Sequence, residues 1–68
     1  MINLEECLNK LVIITDNENK QWHGRVELYW NASDNEEGED SIAIKTEEQP
    51  DRLIEFMQSE IRNVSCAE

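Results

Sequence analysis

Residues 22–30 read WHGRVELYW, and no other part of the chain limits the fold so strictly. Trp22, Gly24, Val26, Leu28 and Trp30 fall on one side of an extended chain, and His23, Arg25, Glu27 and Tyr29 on the other. Successive side chains alternate in this way along a strand, so the pattern predicts a long, half-buried β-strand with one apolar face. Gly24 interrupts that face where glycine ordinarily weakens packing, which implies a bulge or a sharp bend. A bent strand can serve two sheets, and that is one route to a small barrel.

The flanking segments agree with an all-β reading. LVIIT, from Leu11, is β-branched and apolar, and it ends at DNENK, a cluster of turn formers. After an acidic loop come the apolar SIAIK, the turn TEEQPD, the strand RLIEFM, a polar QSE corner and a last strand IRNVSCA. Pro50 falls between strands, where its missing N–H costs nothing. Before the first strand, Asn3 followed three residues later by Glu6 matches a capping box, and Leu4, Leu8 and Leu11 recur at helical spacing. The predicted fold is therefore mainly β: a short N-terminal α-helix followed by a five-stranded, strongly bent antiparallel barrel, in one domain spanning residues 1–68.

Charge narrows the function classes. Sixteen acidic against six basic residues leave a net charge of -10, and a polyanion is repelled by such a surface unless the bases cluster. The bases, Lys10, Lys20, Arg25, Lys45, Arg52 and Arg62, are scattered in sequence, so RNA binding is disfavoured. Cys7 and Cys66 lie near opposite ends without zinc-ligand spacing, and His23 is the one histidine. The opening MINLEECLNK has neither a basic start nor a long apolar stretch, so the expected compartment is a reducing cytoplasm with both thiols free. No membrane span, cofactor or metal is expected.

The stretch WNASDNEEGEDSIAIK gathers Asp34, Glu36, Glu37, Glu39 and Asp40 around Gly38. A calcium loop of the EF-hand type needs glycine at its sixth position and glutamate at its twelfth, whereas Gly38 is fifth from Asp34 and the twelfth residue is Lys45. The five acids are read instead as a solvated turn, with a surface for a basic partner as the alternative. Catalysis is not expected: His23 alternates onto the polar face beside Arg25, and a chain this small has little room for a pocket. Among the aromatics, Trp22 and Trp30 are assigned to the core face, and Tyr29 to the face where a base could stack.

The order of these elements resembles the Sm and Sm-like (LSm) family. KLVIITDNENKQWHGRVELY follows the family's first motif in outline, with Gly24 in the glycine position and Val26 two residues on. LIEFMQSEIRNV follows the second, two short apolar strands around a tight corner. The resemblance covers about Leu4 to Val64, and it extends to small uncharacterised Sm-like proteins of bacteria. It implies a Src-homology-3-like barrel and rings formed by pairing the fourth strand of one subunit with the fifth of the next. RNA-binding members carry an acidic residue and an asparagine near the second and third strands, and an Arg-Gly pair at the final corner. Here Trp30 stands at the acidic position, and Met57 and Gln58 stand in place of Arg-Gly.

The expectation is a non-enzymatic Sm-like module that acts as a homo-oligomer or through protein partners. Ile54, Phe56, Ile61 and Val64 are the candidate interface residues, because LIEFM and IRNVSCA each offer an apolar edge strand. Two alternatives remain open: an RNA-binding Sm-like protein with a rearranged site, and an acidic protein that engages a basic one.

Overall fold

The computed structural model describes residues 3–67. Strands β1 (Leu11–Asp16), β2 (Gln21–Trp30), β3 (Ser41–Thr46), β4 (Leu53–Met57) and β5 (Ile61–Cys66) form one antiparallel sheet in the order β4-β3-β2-β1-β5. Val12 and Ile14 of β1, Val26 of β2, Ile42 and Ile44 of β3 and Phe56 of β4 share one buried cluster. Val64 and Cys66 of β5 pack against the same cluster, so the sheet must curl until strands from both of its ends cover one core. Among the described residues no helix is long and apolar enough to cross a membrane.

The predicted N-terminal α-helix is instead a single 3-10 turn, Leu4–Cys7. Asn3 does cap it, its side chain accepting from the Glu5 N–H, but the chain leaves the turn at once. Leu8 forms a parallel bridge with Val26, and Asn9 adopts a left-handed φ of 67° while donating its N–H to the Val26 carbonyl. The buried residues are accordingly Leu4 and Cys7, three apart as a 3-10 turn requires, whereas Leu8 and Leu11 are exposed. Tertiary pairing to β2 outweighs a helical spacing only a few residues long.

The β1–β2 connection is built on Asp16. Its carboxylate accepts from the Glu18 and Lys20 N–H groups and from Trp22 Nε1. These bonds, the indole's foremost, hold its pKa below the usual carboxylate value. Asn19 takes the left-handed position of the turn, with φ 66°.

Strand β2 departs from strict alternation, though not at Gly24. Register with β3 runs unbroken from Gly24↔Thr46 to Val26↔Ile44, and then shifts so that Leu28 faces Ala43. Glu27 is the extra residue, and a one-residue insertion sends every later side chain to the opposite face. Tyr29, predicted to lie outside, turns in against the core opposite Ile42, and Leu28, predicted to lie inside, is exposed. At Gly24 the reason for glycine is proximity: a Cβ there would lie 3.0 Å from the Lys45 carbonyl carbon and nearer still to its oxygen.

Candidate functional site

Three surfaces deserve the name of candidate site: the two free edges of the sheet, the acidic loop, and a groove on the outer face.

The edges are β4 and β5, each paired on one side. The Gln58 N–H donates to the Asp40 carbonyl, and the partners beyond it run Ser41↔Met57, Ile42↔Phe56, Ala43↔Glu55 and Ile44↔Ile54. In an antiparallel ladder hydrogen-bonded pairs alternate with non-bonded ones. Phe56 and Ile54 therefore bond to β3, while Glu55 and Met57 direct N–H and C=O away from it. Met57 N–H is already taken by the Glu60 carboxylate, which leaves Glu55 at the centre of the open edge. On β5, the Ala67 N–H donates to the Leu11 carbonyl and the register runs Val12↔Cys66, Ile13↔Ser65, Ile14↔Val64. By the same alternation, Val64 and Cys66 have outward-facing backbone groups.

The predicted interface residues lie on those two strands, with side chains turned partly or wholly toward the core. Phe56 is 6% exposed and meets Trp22 edge-on, with ring centroids 5.5 Å apart. Ile54, Ile61 and Val64 are half-buried against the same core.

The acidic loop divides into two parts. Asp40 accepts from the Tyr29 hydroxyl and the Ala32 N–H, and Glu39 accepts from the N–H and hydroxyl of Ser59. Asn35 donates to the Glu39 carbonyl and to Ser41 Oγ, and Asn31 caps the 3-10 turn Ala32–Asp34. Glu39 and Asp40 thus fasten the loop to β2 and to the 3-10 corner Gln58–Glu60, while Asp34, Glu36 and Glu37 stay exposed. Among the described residues no three His, Cys, Asp or Glu side chains gather as a metal site.

The groove, about 630 Å³ in volume, is lined on the outer face by Leu11 and Ile13 of β1, His23 and Arg25 of β2, Lys45 of β3 and Pro50. Arg25 is the cross-strand partner of Lys45 and, on its other side, of Leu11. In a chain of charge -10, the groove thus sets two cations beside one acid, Glu47, among exposed aliphatic side chains. Two other bases are held elsewhere: Lys20 lies over the Trp22 ring at 4.1 Å, and Arg62 donates to Asn19 at the far end of the β1–β2 hairpin. His23 and Arg25 could be assigned to one face from alternation, but Lys45 joins them only through the β2–β3 register.

No family model matches the chain, and neither a curated protein nor a solved structure matches it significantly.

Two weak acids, the buried Cys7 and the half-buried Tyr29, give the fold a measurable alkaline limit. Burial, then the hydrogen bond with the Cys66 thiol and its charge, pushes Cys7 from 9.0 up to about 12. Burial, then the hydrogen bond to Asp40, raises Tyr29 above 10.0. A folded-state value above the unfolded one means that the folded state holds its proton longer, so stability is full below the unfolded value and falls as pH rises through the folded one. Denaturant unfolding in reducing buffer is expected to show stability falling between about pH 9 and 12, the window set by Cys7. Cys7→Ala should flatten the slope while lowering the plateau, and a variant that loses as much stability as the parent across that window would refute the assignment.

Proposed function

We propose that the protein is a non-enzymatic, Sm-like module that works by self-association, with β4 of one copy pairing against β5 of the next. The observation that carries this reading is the position of β4 and β5 at the two ends of a single sheet, each with outward-facing backbone groups. Unpaired strand edges are templates for another strand, and joining the two different edges is a head-to-tail contact that yields a ring or a filament. A domain of this size gains stability by covering such edges. Glu55 lies on one of these strands and Arg62 on the other, and the two carry opposite charges.

Copies of charge -10 repel, but at 0.15 M salt repulsion between exposed charges is largely screened beyond about 8 Å, while edge hydrogen bonds act at contact. Light scattering at high micromolar concentration is expected to give a mass several times 8.0 kDa that rises with salt. Glu55→Pro removes an outward N–H and leaves the β3–β4 ladder intact, so it should yield a folded monomer. A parent chain that stays monomeric in both low and high salt would overturn the proposal.

A second reading is favoured by the Arg25–Lys45 pair: the groove takes an acidic, extended segment of a protein partner, with Leu11 and Ile13 as its apolar floor. RNA gains less support, because Lys20 lies over Trp22 and Arg62 is bonded to Asn19, away from the Arg25–Lys45 pair.

A further inference from the structure

We propose that Cys7 and Cys66 form a modification site, a dithiol pair that closes to an intramolecular disulfide when the chain meets a low-molecular-weight disulfide such as oxidised glutathione. Fifty-eight residues separate them in sequence, and the fold brings them to one place. Cys7 ends the 3-10 turn, and the Lys10 N–H donates to its carbonyl, which curls the chain back over the start of β1. Cys66 is the last residue of β5, opposite Val12, and the Ala67 N–H donates to the Leu11 carbonyl, which fixes it beside that same start. Cys7 belongs to the core cluster with Val12, the cross-strand partner of Cys66, and Cys66 packs against that same cluster, near enough for the two thiols to perturb one another. Both are free thiols in this structure.

Their unequal burial sets the order of steps. Cys7 is 2% exposed, whereas Cys66 is partly open to solvent, so the Cys66 thiolate meets the external disulfide first. Its sulfur attacks one sulfur of the oxidant, forming a mixed disulfide and releasing one small thiolate. Cys7 then loses its proton to water, attacks the Cys66 sulfur and expels the second small thiolate. In sum, two protein thiols and one small disulfide become one protein disulfide and two small thiols. The second step is the slow one, since Cys7 holds its proton tightly, and it accelerates as pH rises.

The product ties the N-terminal turn to the final strand across a loop of about 60 residues, which removes much of the unfolded chain's freedom. The test is to incubate the intact protein with oxidised glutathione at pH 8.5, at a concentration where it is monomeric or as Glu55→Pro, and to follow free thiols, intact mass and melting. The expected result is loss of both thiols, a mass about 2 Da lower with no adduct retained, a Cys7–Cys66 peptide in the digest, and a melting temperature higher by roughly 10 °C or more. Cys7→Ser should stop at one glutathione on Cys66. In the wild-type chain, a stable glutathione adduct, a disulfide between two chains, or two thiols unreacted after a day would each overturn the proposal.

Discussion

Alanine at position 24 is expected to leave the chain largely unfolded. The added methyl would lie 3.0 Å from the Lys45 carbonyl carbon, closer to its oxygen, and 3.3 Å from Thr46 Cα. All three atoms are backbone of β3, so no side chain can swing away, and relief requires separating β2 from the most deeply buried strand of the sheet. Overpacking a tight interior costs about 1–3 kcal/mol where side chains can adjust, and more where the backbone must move. Removing a glycine returns about 0.4–1 kcal/mol by restricting the unfolded chain, which is too little to compensate. A domain this small rarely holds more than about 3–5 kcal/mol in all. Gly38→Ala is the matched control: its φ of 73° is strained for alanine, but nothing lies within 4 Å, so the loss should be about 1 kcal/mol. Urea unfolding followed by tryptophan fluorescence decides the matter, and a Gly24→Ala midpoint equal to the parent's would refute the close-approach account.

The second large effect is expected at Phe56. Its ring is 6% exposed, packs edge-on against Trp22, and belongs to the cluster that holds Ile14, Ile42 and Ile44. Truncation to alanine should cost about 3–5 kcal/mol, and lysine, with a charge and no buried partner, should cost more. Phe56→Lys would therefore report on folding before it reported on assembly. Far-ultraviolet circular dichroism should show a lost strand signal for Phe56→Lys and a retained one for Glu55→Pro. A folded Phe56→Lys with parental melting temperature would mean that the ring is not part of the core.

The strands were legible because alternation in β1 is backed by β-branched residues: Val12 and Ile14 point in, Leu11 and Ile13 point out. The N-terminal 3-10 turn is not legible in the sequence, because a spacing of Leu4, Leu8 and Leu11 does not reveal that Leu8 is held by Val26. The inward side of Tyr29 is hidden for a related reason: a bulge at Glu27 inverts the pattern downstream, and no residue type marks it. In the acidic loop, composition showed the charges but could not separate Glu39 and Asp40, which hold the loop, from Glu36 and Glu37, which face solvent. The groove needed register, since Lys45 meets Arg25 only once β2 and β3 are paired. The thiol pair needed topology, since local patterns carry no sign of a contact between β5 and the N-terminal turn.

The pairing of β1 with β5 also orders the events of folding. The β1–β2 hairpin closes over a few residues, and β3 and β4 can add to it in sequence, but the other side of β1 finds its partner only about fifty residues later. Closing so long a loop must precede the contacts that reward it, so this step is the slow one. On the ribosome, β1 stays half-paired until β5 has emerged. Until then Val12 and Ile14 belong to a strand with an open edge, and the nascent chain is most exposed to pairing with the wrong neighbour.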